Sequence, residues 1–404
     1  MHGSALPTVL VTGTLMLLAV FVVISLGDME SLMVYGRYSH RQKEAWLESA
    51  LLLYSQDSTL MNWLDENGRF LLFEDDPVSE ITLSRSPWGL YELVKTSAGG
   101  GRYRKAVLTG YESESPKQAA LYVSDNLRAF TLAGKSQVKG TVYLPENGLI
   151  YGQVQSDFYS REPLPELHIR KSSGYFPPRQ ESTMDSLKNL WYGAANILLP
   201  DNYELRNSFF EPVIRLRSEN LSGVTVQGHV VIRSPNRIEI DSTSRLEDVL
   251  VVAPKVFIRE GFSGALQIVA SDSVLVERRV RLKYPSGIVI PEGNADSAVE
   301  LAEGSEINGY VIFRSAAEPP EEKRTPHYRQ QPQSRVRGLV WVDGIAQIQG
   351  TVTGSLYVNQ ANYYGPQGYY TNLLYQASVY RSEAMAFPVW MQNNYPRKIM
   401  KWLD

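Results

Sequence analysis

The chain lacks cysteine, has only five histidines and shows no excess of either charge. Forty Lys and Arg stand against 43 Asp and Glu, a formal net charge of -3 in 404 residues. Without thiols there are no disulfide staples, thiolate zinc sites or cysteine nucleophiles. The near-neutral balance lacks the basic footprint that nucleic acid requires, so no nucleic-acid partner is expected. His2, His40, His168, His229 and His327 are scattered without metal-ligand spacing. No catalytic, cofactor or metal site is therefore expected. Disorder is excluded as well, because 43% hydrophobic and 11% aromatic residues suffice for a core.

Long uncharged runs are also scarce, and only one is present. Residues 5–27, ALPTVLVTGTLMLLAVFVVISLG, carry no charge. At about 1.5 Å per residue they could cross a hydrocarbon core of roughly 30 Å, which predicts a single transmembrane helix. A cleaved signal peptide is the rival, since Ser25-Leu26-Gly27 is small-x-small, but a basic n-region is missing. The expected location is the inner (cytoplasmic) membrane, single-pass, with an extracytoplasmic body. Taken literally, Arg37, Arg41 and Lys43 favour the opposite side. Large domains translocate largely regardless of charge, so these residues leave sidedness open.

Residues 28–56 read as an amphipathic stalk helix. Leu32, Tyr35, Trp46, Ala50 and Leu53 share one side at 100° per residue and form a candidate helix interface. A hydrophobic span, then an amphipathic helix, then β-rich sequence resembles the N-terminal layout of type IV pilins and pseudopilins. Their processing motif is missing: Gly3 is followed by Ser4, and the first acidic residue is Asp28.

Residues 57–125 read as a membrane-proximal β-meander, with Gly99-Gly100-Gly101 as a hairpin connection. From 126 to 360 the expectation is a β-solenoid of about 18 residues per coil. Val230 to Glu247, Asp248 to Ala265 and Leu266 to Lys283 align as three rows of eighteen. Three apolar columns result: Ile232, Leu250 and Ile268; Ile238, Val256 and Val274; Ile240, Ile258 and Val276. Similar phrases recur, and the stretch from Val342 to Val358 resembles a bactofilin, the polymer-forming bacterial family built on a short β-helix. That resemblance implies a β-helical core and assembly with further copies.

Two segments rich in proline and charge, 160–183 and 316–337, read as insertions leaving the coils. Ala129 to Ser136 matches a loose phosphate-loop pattern but continues as β sequence, which argues against nucleotide binding. Asp241, Glu247, Asp248, Arg259 and Glu260 would lie on neighbouring coils and are read as solubilising charge. Residues 361–404 read as an aromatic C-terminal cap, with Tyr363, Tyr364, Tyr369 and Tyr370 as a candidate aromatic surface.

The fold class expected is thus mainly β, a solenoid behind one transmembrane helix. The expected function is a non-enzymatic, membrane-anchored scaffold of the bacterial cell envelope that self-assembles or binds envelope proteins. The alternatives are a pilin-like component of a secretion, competence or pilus machine, and a glycan-binding or glycan-cleaving β-helix protein.

Overall fold

The computed structural model describes residues 5–57, 59–112, 118–192, 197–200, 202–315, 325–366, 368–382, 385–391 and 396–403. Two compact units result. One comprises the helix to Leu53, Trp63–Leu83 and Thr96–Lys105; the other comprises Tyr54–Asn62, Ser84–Lys95 and the described residues from Ala106 onward.

In the first unit an uninterrupted helix, Ala5–Gln56, begins in the apolar run. Its sequence has no proline beyond the first turn, and its apolar stretch is unburied and long enough to cross a membrane. Nearer Leu53 the helix finds a protein partner. Trp46 meets Phe73 edge-on at 5.8 Å, and the Lys43 ammonium lies 4.1 Å over the Trp46 ring. Lys43 also donates to the Val78 carbonyl, and Glu48 pairs with Lys105. Burial pushes the Lys43 pKa down, against the opposing pull of Asp76. Beside the helix, Phe70 pairs with Ile81 in an antiparallel ladder. Gly99, Gly100 and Gly101 all adopt positive φ in the expected turn, which side chains with a Cβ rarely tolerate.

The second unit is mainly β, and its strand pairings close into a parallel, barrel-like sheet. One column of paired residues runs through it from end to end. Ile197, Leu216, Ile232, Val251, Ile268 and Ile288 pair in succession, followed by Val311, Val340 and Leu356. The next rung is Leu121, then Val142 and Ile169. The earliest strands of the sheet therefore stack beyond its late ones. From Leu216 to Val142 these side chains are buried, each contributing roughly 1.5–3 kcal/mol of hydrophobic stabilisation.

Two of the three expected columns pair as aligned, Ile238 with Val256 and Val274, and Ile240 with Ile258 and Val276. The remaining one is corrected by a single residue: Ile232 pairs with Val251, whereas Leu250 pairs with Gln267. A bulge between Glu247 and Val249, with Asp248 at φ 60, shifts the register. Because side chains alternate across a strand, one extra residue turns Leu250 outward and Val251 inward.

Other boundaries move for related reasons. Leu121–Val123 belongs to the parallel sheet rather than to the meander. The expected insertion 160–183 contains the rung Ile169–Lys171 and the start of the helix Glu181–Lys188. In 316–337, residues 316–324 lie outside the described set, but His327 is buried and Tyr328–Gln330 is a paired strand. Strand Thr351–Ala361 is paired on one side with Arg335–Ile348 and on the other with Leu121–Val123 and Ser378–Tyr380. Within the expected cap 361–404, strand Ser378–Tyr380 is itself a member of the parallel sheet.

Gly309, Gly338 and Gly354 stack at one corner, at φ 145°, 130° and 147°. A Cβ on Gly338 would lie 1.9 Å from the Gly309 carbonyl oxygen. Gly338→Ala is therefore expected to cost at least about 2 kcal/mol, against no more than about 0.5 kcal/mol for exposed Arg337→Ala. Guanidinium unfolding of both variants checks this; equal midpoints would refute the corner constraint.

Candidate functional site: an uncovered basic face

Residues that point out of the parallel sheet fall into three sets. The first is apolar and covered. Val231, Val269, Val289, Ile312 and Trp341 pack with Leu90, Met184, Phe387 and Trp390 from other parts of the same unit. Gln267 fastens this cover: its Oε1 accepts from the Leu90 N–H at 3.1 Å and from the Tyr310 hydroxyl at 2.7 Å, while its Nε2 donates to the Trp88 carbonyl at 2.8 Å. Gly89, at φ 63, sits where any Cβ would strike the Gln267 amide. Arg179 lies 5.2 Å over Trp341 and 5.5 Å over Trp390.

A second set is charged but internally matched. Arg259 bridges Glu239 at 2.7 Å and Glu277 at 2.6 Å, and these bonds hold its pKa up. Lys255 pairs with Asp272 at 3.3 Å, Arg279 with Glu260 at 2.7 Å and Arg329 with Glu300 at 3.5 Å. Asp241 accepts from the Thr243 backbone N–H at 2.7 Å, which lowers its pKa. The carboxylates singled out from sequence are thus spent on neighbouring groups.

The third set is basic and bare. Thr225 pairs with Arg245, and further along the same side Ser263, Arg281, Glu306, Arg335 and Thr351 form consecutive rungs. Lys283 and Arg337 lie two residues beyond Arg281 and Arg335, hence on the same side. Glu306 is partly matched by Arg337 at 3.7 Å. Among the described residues, Arg245, Arg281, Lys283 and Arg335 are exposed and make no side-chain hydrogen bond or ion pair.

Near Arg245 the face deepens into a cavity of ≈ 860 Å³, lined by the cations Arg206, Arg245, Lys283 and Lys401 and the carboxylates Glu247 and Asp248. Lys401 donates to Glu247 at 2.6 Å and to both Asp248 oxygens at 2.8 Å. Burial disfavours its charge, but these hydrogen bonds prevail and hold its pKa above the usual lysine range. Arg206 is tied to Glu204 at 3.2 Å. The indole of Trp402, 48% exposed, forms part of the wall. A smaller cavity of ≈ 360 Å³ lies between Arg281, Glu306 and Arg335.

The residues singled out from sequence are elsewhere. Leu32 and Tyr35 are 72% and 73% exposed on the helix and Leu53 is partly exposed, whereas Trp46 and Ala50 are buried by the chain's own packing. Only the first three remain available to a partner. Tyr363, Tyr364, Tyr369 and Tyr370 are brought together in a short antiparallel hairpin, with Tyr363 opposite Tyr370 and Tyr364 opposite Tyr369. Tyr363 also meets Tyr375 at 4.6 Å. The phosphate-loop-like segment is strand, turn and strand, and the Ser136 hydroxyl donates to the Leu374 carbonyl at 2.9 Å. Sequence reasoning passed over the basic face, although Arg245 and Arg281 stand two eighteen-residue periods apart.

Comparison with protein-family models, with characterised proteins and with solved structures returned no match to this chain.

The covered face makes stability fall in alkali. Burial raises the Tyr310 pKa above its ordinary 10.0, as it does for Tyr91, Tyr284 and Tyr357. Above that pH the unfolded chain loses these protons first, so stability present below pH 10.0 is lost as pH rises. Guanidinium midpoints measured across this range should decline, and less steeply in Tyr310→Phe; an unchanged slope in the variant would refute the assignment.

Proposed function

We propose that this chain is a non-enzymatic, membrane-anchored scaffold of the bacterial cell envelope, built on a β-solenoid. Residues 5–27 hold it in the inner membrane with its body outside the cytoplasm. The observation that carries this reading is the contrast between outward faces: the apolar one is sealed by the chain itself, while on another, arginines on alternate rungs are left bare. A surface of that kind suits repeated contacts with an extended partner or with further copies.

Several features support the details. Rungs eighteen residues apart, such as Ile238, Val256 and Val274, are what a three-sided solenoid requires. In the bactofilin-like stretch, Val342 stacks on Val358. Within the apolar helix the Thr12 hydroxyl donates to the Val9 carbonyl at 3.1 Å, and that of Thr14 to the Leu10 carbonyl at 3.0 Å. Such internal bonds suit a lipid environment, where no water can satisfy a hydroxyl.

A pilin-like role is the second reading, favoured by one continuous 52-residue helix whose early part is exposed and whose Trp46 is buried. Leu32→Glu and Tyr35→Glu should then abolish assembly in chemical cross-linking while leaving the unfolding midpoint unchanged. Undiminished cross-linking would exclude it.

The scaffold reading is tested by protease access to a C-terminal tag. Cells with a permeabilised outer envelope and a closed inner membrane should lose the tag, while the protein stays in the carbonate-washed membrane fraction. Protection until lysis would place the body in the cytoplasm, and release by carbonate would remove the anchor.

A further inference from the structure

We infer that the basic face binds a linear anionic polysaccharide, one whose sugar units carry carboxylates. The inference deepens the scaffold reading and rests on it for the orderly repetition of the rungs.

Four cations drive the argument. Arg245, Arg281, Lys283 and Arg335 are exposed and unpaired among the described residues. Elsewhere on the sheet Arg259, Lys255 and Arg329 each have a carboxylate within 3.5 Å. Arg281 and Lys283 share one strand and Arg335 stands two rungs on, past a Glu306 already matched by Arg337, so the unmatched cations of this face repel one another and a ligand bearing negative charge relieves that repulsion. Strand neighbours recur at about 4.8 Å, so arginines on every second rung recur at about 9.6 Å along the face. A polymer with regularly repeated charge meets such an array in several places at once, and guanidinium groups hold carboxylates through paired hydrogen bonds.

The cavity at one end suits sugar in particular. Thr225 and Gln227 on the rung before Arg245, and Ser263 on the one after it, offer hydroxyl and amide groups in the cavity wall, and the exposed Trp402 indole supplies a flat apolar surface for a ring face. Lys401 is held by Glu247 and Asp248, so it fixes the wall and leaves the ligand's charge to the unpaired cations. Single-stranded nucleic acid is disfavoured, because binding it relies on successive stacking aromatics. The outward rungs Arg245, Ser263, Arg281, Glu306, Arg335 and Thr351 include none.

The test titrates polygalacturonate into the full-length chain in detergent, with neutral dextran and oligothymidylate as comparisons. Binding should be specific to polygalacturonate and weaken steeply with added salt. Losing charge-assisted bonds in Arg245→Gln/Arg281→Gln/Lys283→Gln should reduce affinity at least about tenfold. Each single variant should give a graded loss, which keeps the test valid if the triple variant fails to fold. Lys255→Gln, on the matched face, should bind like the parent. Absence of binding, affinity indifferent to the three substitutions, or equal or tighter binding of oligothymidylate would overturn the inference. Membrane retention and tag accessibility of the same variants separate the two readings: if both persist without polysaccharide binding, only the ligand assignment falls.

Discussion

Inward stacking is the constraint on which the second unit depends. From Leu216 through Ile268, Val311 and Leu356 to Val142, each aliphatic side chain sits over the one in the neighbouring strand and is closed to water. Parallel strands bury both faces only when something covers the outside as well. This chain meets that need unequally, with Leu90, Met184, Phe387 and Trp390 sealing one outward side. The side bearing Arg281 and Arg335 is left to solvent.

The stacking also decides where the chain's distant parts meet. Ser378–Tyr380 pairs with Thr351–Thr353 on one side and with Gln137–Lys139 on the other. Leu356 meets Leu121 in the neighbouring register. Residues more than two hundred positions apart thus pair within one sheet, and the Ser124 hydroxyl donates to Asn359 across the join at 2.8 Å. Closing loops of that length carries a conformational cost that grows only slowly with loop length. The buried rungs gained on each side offset it.

The basic face follows from the same geometry. Residues that alternate with the buried column must point outward, and wherever no other segment covers them they are free to carry charge. On the matched side Arg259 is locked between Glu239 and Glu277. Around Arg245 the carboxylates Glu247 and Asp248 are taken by Lys401 from the C-terminal strand Arg397–Leu403. That strand also pairs with Ala106–Tyr111. A C-terminal lysine thereby takes the hydrogen bonds of the carboxylates nearest Arg245, and a near-neutral chain acquires a face with unpaired cations.

The sequence determined the classes of element. A charge-free run from Ala5 to Gly27 can only be a long apolar helix or be removed, and valine and isoleucine at eighteen-residue intervals announce stacked strands. It even placed Ile238 over Val256 and Val274, because those rungs are local and unbroken. Tertiary structure alone decided the rest. The bulge at Asp248 that exchanges Leu250 for Val251 leaves no trace in a periodic alignment, since a one-residue slip still aligns two aliphatic residues. The joining of Leu121 to Leu356 is invisible for another reason: any apolar rung can stack on any other, and only the completed fold shows which edge was left open. The bare face was equally hidden, because whether an arginine is matched depends on partners as remote as Lys401, and net charge averages over them all.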